Sequence, residues 1–299
     1  VVPAFVFPAL ALTEAARWLA RRIRRQEILS RLSLLVPAVI VLLLPCLRLT
    51  LRDYFGRWAR RSDVQYLYQT DLTAVGHSLD GIEQGTAVTV GGLSVGTLDR
   101  PTLAFSARTS VAGVRLCDPR QTLVIPGSSP AQLLVPQVVP FDERADLERL
   151  MHTWTEAEPC DRFTRYGSVN RDAIAHHLGR LQTGAALPDG TRVSLPVSFE
   201  GRLTLLGYEW TRAPSLGSSE ASLITYWRVE SGGETPLKVF LHLVDANGGT
   251  VAQHDGLASP FQGWEPGDLI VQRHGLSLAS DAASMVAAAK PRSAKTLPA

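Results

Sequence analysis

Aromatic and basic side chains are crowded into residues 54–61, which read YFGRWARR. Aromatic rings with a polar edge favour the headgroup layer of a membrane, and guanidinium groups bind lipid phosphates. We call residues 51–61 the collar. Six of its side chains are predicted to contact the membrane interface or lipid phosphate: Tyr54, Phe55, Arg57, Trp58, Arg60 and Arg61. The alternative is an anchor belt that carries no chemistry.

The collar follows an apolar run, residues 32–47, that holds no charged residue. A spanning helix needs about 20 residues, and Arg31 and Arg48 at the two ends can extend their guanidinium groups to the interfaces. The run therefore predicts a transmembrane helix. The alternatives are a buried core helix and the hydrophobic region of a signal peptide. Residues 1–16 are also apolar, which argues against a signal peptide and predicts an earlier, truncated span in a fragment of a longer protein.

Arginines flank the second run on both sides, with six in residues 17–31 and five in residues 48–61. Because the two counts are nearly equal, they do not decide the orientation of the predicted helix in the membrane. Long domains cross the membrane largely regardless of charge, so we expect the short loop to be cytoplasmic and the long tail to be extracytoplasmic. The expected partner is the lipid bilayer.

Composition narrows the classes of partner further. The 299 residues carry 30 basic and 28 acidic side chains, a formal net charge of +2. Nucleic-acid-binding domains are usually strongly basic, so no nucleic-acid partner is expected. Three cysteines without metal-ligand spacing exclude a disulfide-rich scaffold. Cys117 and Cys160 are expected to be free thiols, and a disulfide between them is the alternative if the tail is extracytoplasmic.

The pattern of residue types changes along the region after the collar, and this change predicts the domain organisation. Residues 62–190 alternate helical periodicity with short β-branched runs and predict a small α/β domain. Residues 191–279 hold short strands with turn signals and predict an all-β, immunoglobulin-like sandwich. The predicted fold class is therefore a set of transmembrane helices in residues 1–50, followed after the collar by the small α/β domain and the immunoglobulin-like sandwich. Residues 280–299 are Ala-rich and are predicted to be a disordered tail.

The sequence contains no recognisable arrangement of side chains typical of catalysis. No glycine pattern matches a nucleotide-binding loop, and His77, His152, His176 and His177 lack metal-ligand spacing. We therefore predict no catalytic residue, metal ligand or cofactor in this chain.

Three tryptophans of the C-terminal region have flat faces on which sugars can stack: Trp210, Trp227 and Trp264. A tryptophan on an alternating strand is more often a core residue, and this is the expectation for Trp227. Trp264 lies in the loop FQGWEPGD and is the candidate glycan contact, with a core or rim position as the alternative.

The order of segments resembles the C-terminal part of bacterial multi-spanning glycosyltransferases of the type-C, family-39-like group, which are related to protein mannosyltransferases and aminoarabinose transferases. The segments that carry the resemblance are LRDYFGRWARRSDVQYLYQTDL, TLVIPG, LTLLGYEW, LITYWRV, VFLHLVD, VAQHDG and WEPGD. They extend from the N-terminus to about residue 278.

The resemblance implies transfer of a sugar from a polyprenyl-phosphate donor to a cell-envelope glycan or protein acceptor. It implies an integral protein of the bacterial cell membrane with extracytoplasmic C-terminal domains. The acidic catalytic loop of that family has no counterpart here, so the fragment is expected to be inactive alone. The need of the parent enzyme for a divalent metal stays open. The alternative function is a non-catalytic, membrane-anchored glycan-binding module.

Overall fold

The computed structural model describes residues 14, 17, 43–139, 141, 146–186, 192–215, 218–232, 236–245, 248–278 and 286–292. The chain separates into two compact units, Val1–Gln65 and Tyr66–Ala299. The first unit contains helix α1, residues 43–51, which continues into a π-helical turn, Arg52–Trp58. Helix α2, Ser62–Leu67, follows in the chain.

The predicted fold class is wrong for its transmembrane helices. Among the described residues, no helix combines the length and the apolar character needed to cross a bilayer. The physical reason within this range is charge, because Arg48, Arg52 and Asp53 follow closely on the apolar start of α1. Most of residues 1–16, and residues 32–42 of the second predicted span, lie outside the described residues.

The second unit contains a mixed sheet with helices on both faces. Its strands lie in the order β2-β1-β4-β6-β5; β1 pairs in parallel with β2 and β4, while β6 is antiparallel to β4 and β5. The strands are β1 (Ala87–Gly91), β2 (Arg115–Cys117), β4 (Ala131–Pro136), β5 (Glu156–Pro159) and β6 (Phe163–Gly167). The helices are α3 (Thr70–Leu79), α4 (Asp99–Ser106), α5 (Asp146–Trp154) and α6 (Arg171–Leu178).

An antiparallel sheet has the order β3-β14-β11-β10-β9, and a smaller sheet has the order β13-β12-β15. The larger one consists of β3 (Thr122–Ile125), β9 (Val197–Phe199), β10 (Leu203–Arg212), β11 (Glu220–Val229) and β14 (Leu269–Ser277). The smaller one consists of β12 (Phe240–Asp245), β13 (Thr250–Asp255) and β15 (Val286–Arg292). A further pair joins β7 (Gly184–Ala186) to β8 (Arg192–Ser194).

Apolar side chains form three buried clusters that tie these layers together. The first packs α3 and α4 on one face of the mixed sheet, with Val75 and Val90 fully buried. The second joins the other face of that sheet, α5 and α6 to the antiparallel sheet, and contains Trp154 and Tyr226. The third lies between the antiparallel sheet and the smaller sheet and contains Leu243.

The predicted fold class is also wrong in separating an α/β domain from a self-contained sandwich. Strand β3, which lies inside the predicted α/β region, pairs with β14 of the antiparallel sheet, with Val124 opposite Ile270. The antiparallel sheet is apolar on both faces, because Ile224 and Tyr226 belong to the second cluster while Leu223 belongs to the third. The mixed sheet and the antiparallel sheet therefore share the second cluster.

The segment 280–299, predicted to be a disordered tail, contributes β15. Its backbone pairs antiparallel with β12, with Val286 opposite Asp245. The pairing has a physical reason, since an unpaired edge of β12 would leave a row of backbone N–H and C=O groups without partners.

Candidate functional site

The most distinctive site of the second unit is a cavity of about 390 Å³ at the carboxyl ends of β1 and β4. We call it the switch-point cavity. Its lining consists of Tyr66, Leu67, Tyr68, Gln69, Leu72, Gly92, Leu93, Ser94, Leu98, Asp99, Thr102, Pro136, Val138 and Val139.

Topology explains why a cavity forms there. From β1 the chain crosses through α4 to β2 on one side, whereas β4 lies on the other side of β1. The loops that leave the carboxyl ends of β1 and β4 therefore diverge and leave a crevice between them. In open α/β sheets, ligands bind in such a crevice.

A buried carboxyl group, that of Asp99, forms the polar floor of the cavity. Asp99 is the first residue of α4 and only 1% exposed. The backbone N–H of Ser94 donates to its Oδ2 atom over 2.8 Å, and Gln69 Nε2 donates to its Oδ1 atom over 2.8 Å. Thr102 Oγ1 in turn donates to Gln69 Oε1. The network fixes the carboxyl group with neutral donors alone.

Gly92, which directly follows β1, makes room for this carboxyl group. A Cβ atom added to Gly92 would lie 2.0 Å from Asp99 Oδ2, closer than any contact distance allows. A Cβ atom added to Gly91 would meet the ring of Pro119 at 3.2 Å. Glycine at residue 92 is therefore a requirement of the site.

Gln69 reaches Asp99 because the helix is broken before α3. Gln69 has left-handed backbone angles, φ 48° and ψ 44°, and separates α2 from α3. This conformation is costly for a residue other than glycine, and such residues concentrate at functional sites. The helical periodicity expected after residue 62 gave no sign of this break at Gln69.

Two tyrosines border the cavity before α3. Tyr66 is 55% exposed and Tyr68 is 62% exposed. Val138 belongs to the lining on the side of β4. Helix α3 holds it in place, since the N–H of Val138 donates to Asp71 Oδ2 over 3.1 Å. Asp71 also accepts from Arg162 Nη1 over 3.1 Å, so this arginine is tied to a carboxylate outside the lining.

Burial raises the pKa of the Asp99 carboxyl, and the charge of Asp118 acts in the same direction. The hydrogen bonds from Ser94 and Gln69 oppose the shift because they favour the ionised form. A raised carboxyl pKa beside a cavity is a common property of binding and active sites.

The collar residues lie within the first unit, where the structure brings the predicted aromatic rings together. The Tyr54 and Trp58 rings stack with centroids 4.8 Å apart, and Phe55 meets Tyr54 edge-on at 5.0 Å. Two of the three arginines have acidic neighbours that sequence analysis did not consider. Arg57 pairs with Asp53 at 3.1 Å and Arg61 pairs with Asp63 at 2.9 Å, whereas Arg60 is an exposed residue.

The tryptophans are mostly covered by protein. Trp227 is 4% exposed, as expected for a core residue, and Trp210 is half-buried. Trp264, the predicted glycan contact, is 7% exposed, and its Nε1 atom donates to Ser259 Oγ over 3.1 Å. Stacking of a sugar on Trp264 would require its loop to open.

The four histidines considered from the sequence are either hydrogen-bonded within the fold or exposed. His177 Nε2 lies 2.9 Å from Tyr226 Oη, and His77, His152 and His176 are exposed. Cys117 and Cys160 are both free. Among the described residues, no group of three or more His, Cys, Asp or Glu side chains is arranged to hold a metal ion.

Sequence reasoning missed the switch-point cavity, although part of its signal was visible. The run TAVTVGGLS holds paired glycines directly after a β-branched run, and glycines in this position mark close backbone approach. The contact between Gln69 and Asp99 spans 30 residues and had no sequence signal. The chain matches no protein-family model, and no curated protein or solved structure is significantly similar to it.

Proposed function

We propose that this chain is the C-terminal, extracytoplasmic portion of a bacterial membrane glycosyltransferase that moves a sugar from a polyprenyl-phosphate donor to a cell-envelope acceptor. In this proposal the switch-point cavity binds carbohydrate and the collar binds the membrane surface. The resemblance of the segment order to family-39-like enzymes supports the proposal, and it is the source of the donor class.

The switch-point cavity is the observation that carries the proposal. A sugar needs hydrogen-bonding groups for its hydroxyls and a flat apolar face for its C–H bonds, and protein sites supply both with few convergent polar groups. Asp99 and Gln69 supply the polar groups, and Tyr66 supplies an exposed ring at the border. The volume of about 390 Å³ lies in the usual range for small ligands, about 300–1,000 Å³.

The collar supports the location at a membrane. Tyr54 and Phe55 are exposed rings, 52% and 64%, of the kind that gathers at headgroups. The acidic partners of Arg57 and Arg61 are themselves exposed, and exposed ion pairs contribute only about 0–1 kcal/mol. Anionic lipids can therefore compete for both guanidinium groups at small cost.

A non-catalytic glycan-binding module is the second candidate, and one observation favours it. Both oxygens of Asp99 already accept hydrogen bonds from Ser94 and Gln69. A carboxyl group fixed in this way is suited to orienting a ligand, and it is the one carboxyl group in the described lining, so no pair of carboxyl groups is present there for acid–base catalysis. The chain would then bind glycan, with no transfer chemistry in the same polypeptide.

Transfer of labelled sugar from a polyprenyl-phosphate donor separates the two candidates. Membranes from cells that express the complete gene product should transfer the label to a cell-envelope acceptor, and membranes lacking it should not. Glycan binding by the chain with no transfer under any donor would favour the binding module and contradict the transferase.

Vesicle sedimentation tests the role of the collar. The double variant Arg57→Glu with Arg60→Glu should reduce binding of the chain to vesicles that contain anionic lipid. The matched control is Arg149→Glu with Arg212→Glu, which changes the charge equally at two exposed positions of the second unit. Equal loss of binding in both double variants would show that net charge, and not the collar, holds the chain on the lipid.

A further inference from the structure

We infer that the switch-point cavity binds the acceptor of the reaction, as a neutral, hydroxyl-rich sugar unit, and excludes the phosphate of the lipid-linked donor. The inference rests on the proposed function and assigns one of its two substrates to this site. It follows from the charge, the hydrogen-bonding capacity and the shape of the lining.

Charge is the first argument. None of the lining residues that the structure describes is a lysine, arginine or histidine, and the one acidic side chain among them is Asp99. Phosphate sites in proteins rely on cationic side chains or on several backbone N–H groups that point at the anion. Here the backbone N–H of Ser94 already donates to Asp99, so this donor is taken and a phosphate would lie beside the Asp99 carboxylate. The cavity therefore disfavours the donor phosphate.

Hydrogen-bonding capacity is the second argument. An ionised carboxylate has about four acceptor positions, and Ser94 and Gln69 occupy one on each oxygen of Asp99. The remaining capacity suits the O–H groups of a sugar, which donate to carboxylates through strong hydrogen bonds. Glycine at residue 92 keeps the carboxyl group in place, since any side chain there would displace Oδ2.

The border of the cavity is the third argument. Tyr66 and Tyr68 are more than half exposed, and Leu98 on the other side is 61% exposed. Rings and apolar groups around a polar floor match a pyranose or furanose, which has an apolar face and a hydroxyl edge. The alkyl groups of a prenyl chain cannot donate hydrogen bonds to Asp99. A prenyl chain in the cavity would therefore leave the remaining acceptor positions of this buried carboxyl group without partners, which is unfavourable.

Saturation-transfer NMR on the full chain tests the assignment with defined probes. The neutral probes are the methyl glycosides of mannose, glucose, galactose and arabinose, and the anionic probes are inorganic phosphate and geranyl phosphate. At least one glycoside should bind. Asp99→Asn and Tyr66→Ala should each weaken that binding about tenfold or more, because an acceptor becomes a donor in one and a platform is lost in the other. Phe105→Ala, at a 95% exposed position outside the lining, is the control and should bind normally.

Tyr66→Ala also guards against misfolding, since an exposed ring at the border contributes little to the core. Binding of phosphate or geranyl phosphate that Tyr66→Ala and Asp99→Asn abolish would overturn the assignment. Binding of no glycoside, or glycoside binding that neither variant weakens, would overturn it as well.

Kinetics of the complete membrane enzyme separate this inference from the proposed function. Asp99→Asn should raise KM for the acceptor about tenfold while KM for the donor changes less than about twofold. Normal transfer with an unchanged acceptor KM would overturn the inference and leave the proposed function standing. Absence of transfer by the wild-type enzyme would overturn the proposed function, while the glycoside titrations would still decide whether the cavity binds a neutral sugar.

Discussion

Two buried carboxyl groups in the second unit have opposite surroundings. Asp268, which is 0% exposed, faces Arg115, whose Nε and Nη2 atoms donate to its two oxygens over 2.8 and 3.1 Å. Asp99, which is 1% exposed, meets only the neutral donors of Ser94 and Gln69 and borders a cavity. We call the cluster of Arg115, Glu265 and Asp268 the seam, because it joins β2 of the mixed sheet to the start of β14.

The difference separates a structural role from a binding role. At the seam, Asp268 also accepts from the N–H groups of Gly127 and Glu265 over 2.9 and 2.8 Å, so its capacity is filled. A buried charge in this state is strongly coupled to the fold, since removal of one partner leaves the other uncompensated. Asp99 is buried without a cation, accepts one hydrogen bond on each oxygen and lines a cavity, and this combination is typical of a ligand site.

Asp268→Ala is expected to have the largest effect on stability. It leaves the Arg115 guanidinium, only 2% exposed, without its main partner, and breaking such a buried pair costs about 3–5 kcal/mol. Urea unfolding of the variant measures the loss. The control Glu158→Ala removes a partner of Arg165 that is 65% exposed, and should cost about 1 kcal/mol or less. Equal losses in the two variants would contradict the role assigned to the seam.

Gly92→Ala is expected to have the next largest effect, and it acts at the switch-point cavity. The added methyl group would lie 2.0 Å from Asp99 Oδ2 and must displace the carboxyl group. Overpacking of this kind costs about 1–3 kcal/mol. Gly96→Ala is the matched control, because a Cβ atom there meets nothing within 4 Å. Thermal unfolding of both variants gives the comparison, and equal melting temperatures would show that the carboxyl group is not held against Gly92.

A third buried polar group, His274 on β14, predicts a pH effect. Burial, with the charge of His254 acting in the same direction, lowers the pKa of His274 to about 3. Its Nδ1 atom lies 2.9 Å from His254 Nδ1, and its Nε2 atom lies 2.8 Å from Thr225 Oγ1.

In the folded protein His274 is therefore neutral at a pH where the unfolded chain takes up a proton. The stability contribution is complete above about pH 6.5 and falls as the pH drops toward about 3, by about 1 kcal/mol per pH unit. Urea unfolding of the wild type and of His274→Gln between pH 7 and 4 measures it. The wild type should lose more stability than the variant, and parallel profiles would contradict a neutral buried imidazole.

Asp99→Asn is expected to have the smallest effect on stability. Its raised pKa means that the folded state binds a proton more readily than the unfolded chain, so the ionised carboxyl group costs stability as the pH rises above about 4. A neutral amide removes that cost, and reversal of the Gln69 amide restores its hydrogen bond. The free energy of unfolding at pH 7 should stay within about 1 kcal/mol of the wild type. A loss of unfolding free energy as large as that of Asp268→Ala would show that Asp99, like Asp268, has a structural role.

Local elements of the fold followed from local patterns, while their assembly did not. Short β-branched runs were expected in residues 62–190 and short strands in residues 191–279, and β1 and β11 are examples of each. The pairing of β3 with β14 joins residues more than 140 positions apart, and the sequence holds no signal for it. The burial of both faces of β11 follows from that assembly and was for the same reason not predicted.

The candidate site was predictable only in part. The rings and guanidinium groups of the collar were visible because they are neighbours in the sequence, whereas Asp53 and Asp63 as their partners were overlooked. The cavity depends on the left-handed conformation of Gln69 and on a contact with Asp99 across 30 positions. Burial of Trp264, whose Nε1 atom donates to Ser259, likewise depends on packing that a loop sequence does not display.

The backbone amide of Ser94 gives the most direct test, because it lies at the floor of the cavity and donates to Asp99. Its ¹H–¹⁵N resonance in the full chain should shift in a saturable way during titration with the neutral methyl glycosides and stay unchanged with inorganic phosphate. The Asp99→Asn variant should lose the response. A shift caused by phosphate, or glycoside responses confined to residues outside the cavity, would contradict a neutral-sugar site at this position.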